Sequence, residues 1–150
     1  MRIVDAREAP EQAVAIRMTM LREIGGLPAG HAFPQEMVRR TAEYLAAGQQ
    51  TTLLAMDGDV PVSCATLCYI TLLPTLSHPT GCRAHLMNVY TASAYRGQGL
   101  ARRLVTALIE EARSRGVTEI SLDATAAGRP LYEALGFRAN EEGMTKILRP

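Results

Sequence analysis

Gly97 and Gly99 stand two apart, between a strand-like run that ends at Thr91 and an amphipathic run that begins at Leu100. The first amides of a helix have no partners inside it and point along its axis. The helix macrodipole adds about half a positive charge at the same place. Residues without a Cβ let a ligand approach the main chain closely. The segment Arg96-Gly97-Gln98-Gly99-Leu100-Ala101-Arg102 therefore predicts an anion site, best suited to a phosphate or a diphosphate. Arg102 and Arg103, with Arg96, add positive charge at its rim.

Three phosphate-binding patterns compete for this turn. A Walker loop needs G-x-x-x-x-G-K-S/T, and the chain has no such run. A dinucleotide fingerprint needs G-x-G-x-x-G, but Leu100-Ala101-Arg102 follows Gly97-Gln98-Gly99, so the third glycine is missing. The third pattern is R-x-x-G-x-A, read over Arg96 to Ala101. A second segment, Pro130-Leu131-Tyr132-Glu133-Ala134-Leu135-Gly136-Phe137, follows farther along the chain.

The turn needs a strand before it and a helix behind it. Residues 85–91 read as that strand, and Leu100, Ala101, Leu104, Val105, Leu108 and Ala112 form the apolar stripe of a helix that ends at Gly116. Residues 119–124 alternate and read as another strand, so the unit from 85 to 124 predicts two parallel neighbours joined by a crossover helix. Upstream, residues 2–5 read as a short strand. Pro10 opens a helix with Ala13, Ile16, Met20, Leu21 and Ile24 at helical spacing, stopped by Gly25-Gly26. Pro34 opens a second, with Met37, Val38, Thr41 and Leu45 on one face. Residues 51–56 and 60–71 form a hairpin across Asp57-Gly58-Asp59, and 72–83 form a loop. Residues 130–135 make a short helix closed by Gly136, and one or two final strands run from Phe137 through Met144 to Leu148. The expected class is α+β: one domain over 1–150, with a mixed, mostly antiparallel sheet, one parallel pair and flanking helices.

Composition narrows the function. The 150 residues are 47% hydrophobic and 21% charged, an ordinary globular balance. Lys plus Arg is 16 against 15 for Asp plus Glu, which argues against nucleic acid as a partner. No apolar run approaches the ~20 residues that span a bilayer, and the N-terminus has no signal-peptide pattern. No membrane partner is expected, and the expected location is the cytoplasm. Cys64, Cys68 and Cys82 are an odd set, a poor disulfide framework, and no His or Cys spacing supports a metal site.

The two separated segments, in this order of elements, resemble the GNAT family of N-acetyltransferases. Arg96 to Ala101 is similar to its R/Q-x-x-G-x-G/A signature, and Leu131 to Phe137 to its L-Y-x-x-x-G-F segment. The chain departs from the family at Thr125, where many members carry Asn, and at Gly128, where many carry Ala. The resemblance covers nearly the whole chain. It implies that the strands at 85–91 and 119–124 splay apart, leaving backbone groups of Val89, Tyr90 and Thr91 to bind the pantetheine of acetyl-CoA. The amides from Gly97 to Arg102 would hold its diphosphate, and the Thr125 hydroxyl would be a weaker contact to the pantetheine arm. It implies a direct transfer of acetyl to an amine of a small molecule. Tyr132 would be the acid for the leaving thiolate, His85 a candidate base and Asn88 a candidate substrate contact. Tyr90 is a second candidate contact, and Glu23, Glu36 or Glu43 could hold an ammonium. A homodimer fits the family. An acyl-CoA sensor without catalysis is the alternative, and a nucleotide-binding module using the same turn is a third reading.

Overall fold

A computed structural model describes residues 1–149. The strands are β1 (Arg2–Asp5), β2 (Gln50–Asp57), β3 (Val60–Thr71), β4 (Cys82–Thr91) and β5 (Glu119–Leu122). The helices are α1 (Pro10–Ile24), α2 (Gln35–Ala46), α3 (Leu100–Ser114) and α4 (Arg129–Ala134). One five-stranded sheet runs in the order β1-β2-β3-β4-β5, antiparallel throughout except for the parallel pair β4–β5. This is the α+β mixed sheet that the sequence predicts.

Helices cover both faces. On one face α3 packs Leu104, Val105 and Leu108 against Leu67 and Leu86 of the sheet. The long β4–α3–β5 crossover explains why: parallel neighbours need a connection that returns over the sheet, and an amphipathic helix does this while burying its stripe. On the other face Ile16 of α1 and Leu45 of α2 meet Leu54, Met56 and Cys64.

Three expectations need correction. The described residues after Phe137 form no strand, and Met144, Ile147 and Leu148 are 97%, 62% and 84% exposed. A strand needs a partner, yet β5 offers only four residues, and the Asn140 side chain accepts from the Glu142 amide at 2.8 Å in a local turn. The α1 stripe is shorter than its periodicity suggests. Ala13, Ile16 and Met18 are buried, Met20 and Leu21 are half-buried, and Ile24, the last helical residue, is 67% exposed. On α2 only Leu45 is buried; Met37, Val38 and Thr41 are half-buried. Met37 and Thr41 line a cavity instead of touching the sheet.

Candidate functional site

The parallel ladder stops early. β4 and β5 pair from Arg83–Glu119 to Leu86–Leu122, where β5 ends, while β4 continues to Thr91. From Met87 onward the β5-side edge of β4 has no strand partner among the described residues. The opposite edge carries a bulge: Thr66 faces Met87 and Cys64 faces Tyr90, so Asn88 and Val89 together oppose Ala65. Asn88 takes φ +58°, a conformation that Asn tolerates better than most residues. The Cys64 thiol donates to the Asn88 carbonyl at 3.2 Å, and burial pushes its pKa up to about 12, which keeps that proton in place. The Tyr90 carbonyl accepts from Ser63 Oγ at 2.9 Å.

Beyond β4 the chain turns into α3 through Gly97 and Gly99, both at φ +76°. A Cβ at either would meet no heavy atom of the described residues within 4 Å beyond its chain neighbours, so the turn is open in front. Gly99 caps α3 with no side-chain hydrogen bond, and the first helical bond runs from the Arg103 amide to the Gly99 carbonyl. The amides of Gly97, Gln98, Gly99, Leu100, Ala101 and Arg102 have no acceptor among the described residues. Unpaired amides at a helix start are an anion-binding array.

Arg96 turns away from this array. Its Nε donates to the Thr91 carbonyl at 2.8 Å, and its NH2 pairs with Glu23 of α1. Tyr90 donates to the other Glu23 oxygen at 2.6 Å. The hydrogen bonds from Tyr90 and Arg96 hold the Glu23 carboxyl below its usual range, while burial and that same bond push Tyr90 up to about 12. This triad ties the end of α1 to the end of β4 and to the turn. The three early glutamates are thus engaged: Glu23 here, Glu36 with Arg39 and Arg40, Glu43 with Arg39.

Tyr132 lies on α4, half-buried against the α3-side core, with its ring edge-on to Phe137 at 5.9 Å. Burial raises its phenol pKa, so the hydroxyl stays a donor. Gly128 makes room for it: a Cβ there would sit 3.0 Å from Tyr132 Cε2. Thr125 opens α4, its Oγ1 accepting from the Gly128 amide at 3.1 Å and its carbonyl from the Arg129 amide at 3.0 Å. His85 is half-buried one residue before the last paired position, with Nδ1 2.8 Å from Ser121 Oγ and Nε2 3.9 Å from Asp123 Oδ2.

On the α1–α2 side of β4 lies a cavity of about 490 Å³, within the usual range for small-molecule pockets. Met87 and Asn88 both line it, as do Arg17 of α1 and Met37, Tyr44 and Leu45 of α2. His85 does not. Beneath it runs a line of buried polar side chains. Arg17 NH1 donates to Asn88 Oδ1 at 3.3 Å, and Asn88 Nδ2 to Thr66 Oγ1 at 3.0 Å. Thr66 and Thr52 hydroxyls meet at 2.7 Å, Thr52 donates to Gln50 Oε1, and Gln50 Nε2 donates to the Leu45 carbonyl at 2.9 Å. With Thr52 spending its proton on Gln50, Thr66 must donate to Thr52, so every bond points the same way and adjacent ones reinforce each other.

Sequence reasoning reached Asn88 but missed Arg17, Tyr44, Thr66 and Met87. Arg17 did leave a signal. It lies four residues after Ala13 and three before Met20, on the face that the apolar spacing assigns to the core.

The arrangement has two sides. One offers an open strand edge and an anion-binding turn, suited to an extended carrier with a charged middle. The other offers a pocket for a small molecule. Comparison with known proteins bears on both. The model of the acetyltransferase (GNAT) family matches residues 18–137. Glucosamine 6-phosphate N-acetyltransferase of Trypanosoma brucei brucei is 42% identical over 60 residues, which are 40% of this chain and 41% of that enzyme's length. Aminoglycoside N(6')-acetyltransferase type 1 of Serratia marcescens is 29% identical over 117 residues, 72% of this chain and 76% of that protein. The crystal structure of a predicted acetyltransferase from Clostridium acetobutylicum, solved with acetyl-CoA, superposes with a TM-score of 0.81 at 27% identity, covering 97% of this chain and 94% of that one.

Proposed function

The chain belongs to the acetyltransferase (GNAT) family, and from that premise we propose that it transfers acetyl from acetyl-CoA to the primary amine of a small molecule. One observation carries the reading: the unpaired edge of β4 past Leu86 runs into a turn whose six successive amides have no acceptor among the described residues. Those residues fit acetyl-CoA. The β4 edge from Met87 to Thr91, with Val89 and Tyr90 at its centre, is open to a pantetheine arm. The Thr91 carbonyl is shared with Arg96. The amides of Gly97 through Arg102 suit the diphosphate. The family relative solved with acetyl-CoA supports this cosubstrate.

The thioester supplies an activated acetyl group: nitrogen forms the new C–N bond, the C–S bond breaks, and sulfur leaves with its electron pair. The chain's residues handle charge and protons around that exchange. A backbone amide at the β4 bulge is suited to stabilise the developing oxyanion, as preorganised donors do. Tyr132 serves the leaving sulfur. Reference pKa values near 10 for a phenol and 8.5 for a thiol make full proton transfer uphill by about 2 kcal/mol. Burial raises Tyr132 further, so its main service is a hydrogen bond to the thiolate. His85 is the proposed acceptor of the amine's proton, since it sits on β4 beside the splay and an imidazole nitrogen can take up a proton. The relatives named for glucosamine 6-phosphate and for aminoglycosides support a small-molecule amine as the acceptor class.

Two measurements test this. Calorimetry should show acetyl-CoA binding, and a thiol reagent should detect free CoA when amines are added. Binding without thiol release across a broad amine panel would leave a sensor and remove the transferase.

A further inference from the structure

We propose that the acceptor is an amine carrying a carboxylate on an apolar framework, and that Arg17 is the residue that recognises the carboxylate. This rests on the acetyl-transfer reading for the fate of the amine.

Arg17 is half-buried in the cavity wall, and both of its hydrogen bonds leave from NH1, to Asn88 Oδ1 and to Met20 Sδ at 3.7 Å. No carboxylate pairs with it among the described residues. Its Nε and NH2 donors are therefore unspent, and together they form the fork that takes a planar carboxylate with two parallel bonds. The neutral network behind it holds the guanidinium in place without cancelling its charge.

Of the wall's other polar side chains, Thr41, Thr66, Glu36 and Arg40 are already engaged, which leaves the Tyr44 hydroxyl. Thr41 donates to the Met37 carbonyl at 2.8 Å, and Thr66 belongs to the buried line. Glu36 and Arg40 neutralise each other at 2.8 Å. Among the described residues, what the cavity still offers is the apolar surface of Pro34, Met37, Leu45, Met87 and the Tyr44 ring, one hydroxyl, and one cation without a carboxylate partner. A polycationic acceptor meets like charge there, and a polyhydroxylated one finds few free partners. A phosphate monoester, with close to two charges, calls for more than one free cation. A single carboxylate on an apolar body matches the wall. Asn88 joins Arg17 to the β4 bulge, so an anion held by Arg17 lies close to the strand that would carry the thioester. The amine and the carboxylate are then a few bonds apart.

The test separates recognition from catalysis. Binding of N-acetyl-leucine, N-acetyl-methionine and N-acetyl-phenylalanine, each against its amide, is measured by calorimetry with CoA present; no transfer is needed. The acids should bind about 10- to 100-fold more tightly than the amides, the range for hydrogen bonds to a charged group. Arg17→Gln should abolish that preference and Arg17→Lys should keep part of it; both should keep CoA affinity, and each should remain folded with a cooperative melt, lowered where the Asn88 oxygen loses its donor. In turnover, leucine should have the lower KM than leucinamide. The control is biased against the proposal, because leucinamide is the more readily deprotonated amine. Equal binding of acids and amides, failure of all three acids to bind, or a preference that survives Arg17→Gln overturns the proposal. Transfer to leucinamide would then leave the acetyltransferase reading standing. An Arg17-dependent preference for acids without transfer to any amine keeps the anion site and removes the catalysis.

Discussion

Gly99 and Gly116 offer a matched pair at the two ends of α3. Gly99 has φ +76° and Gly116 has φ +75°, and a Cβ at either meets no heavy atom of the described residues within 4 Å beyond its chain neighbours. An alanine in this left-handed region costs about 1–2 kcal/mol. It recovers roughly 0.4–1 kcal/mol by restricting the unfolded chain. The net loss should be about 1 kcal/mol at each position, equal within the error of a urea titration. The effect on acetyl-CoA should differ sharply. With no protein atom to clash against, any selective harm at Gly99 must come from a ligand approaching the main chain. Losing a single hydrogen bond from an amide to a charged diphosphate is worth about 1.5–3 kcal/mol, or roughly 10- to 150-fold in Kd. Gly99→Ala should therefore weaken acetyl-CoA by at least about tenfold in calorimetry, Gly99→Val by more, and Gly116→Ala by less than about twofold. If Gly99→Ala and Gly116→Ala bind acetyl-CoA alike while both lose the same stability, the turn is not the diphosphate cradle.

Tyr132→Phe should lower kcat by about 10- to 100-fold, the range for a lost hydrogen bond to a charged group, with little change in acetyl-CoA affinity or melting temperature, since the hydroxyl has no hydrogen-bond partner among the described residues. Because burial raises the phenol above its ordinary value, the alkaline limb of the wild-type pH–rate profile that reports Tyr132 should lie above pH 10, and a limb unchanged in the Phe variant would remove Tyr132 from the mechanism. Thr66→Val strands Asn88 Nδ2 and takes the donor from Thr52, so urea denaturation should show a loss of about 1–3 kcal/mol; a neutral result would mean that the buried line is slack. Brief alkylation of the native protein at neutral pH should leave Cys64 unmodified, since burial holds it protonated, and mass spectrometry should find label on Cys68 and Cys82 first.

Much of the frame was legible from periodicity and punctuation. β3 runs over the residues that follow the Asp57-Gly58-Asp59 hairpin signal, α3 buries Leu100, Leu104, Val105, Leu108 and Ala112 at the expected spacing, and Gly97 and Gly99 take the positive φ that a glycine-bearing turn suggests. These elements are governed by local rules acting within a few residues. The missing final strands mark where such rules stop. Met144, Ile147 and Leu148 have the side chains of a strand, but a strand exists only through its partner, and sequence alone does not say how far β5 extends.

The acceptor side was hidden for a related reason. Strict alternation along β4 sends Met87 and Asn88 to opposite faces, yet both line the cavity. The bulge opposite Ala65 breaks the alternation, and it depends on groups far apart in the chain. Cys64 satisfies the Asn88 carbonyl, Thr66 holds the Asn88 amide, and Arg17 caps its side-chain oxygen. Each residue reads as ordinary in its own segment: a strand cysteine, a strand threonine, a helix arginine. Only their joint cost points elsewhere. A buried Asn at positive φ, fed by a cation from another helix, persists only where the surroundings over-determine it. That concentration of constraint lies at the point where the open strand edge meets the pocket, which is where an acyl group and an amine would have to be brought together.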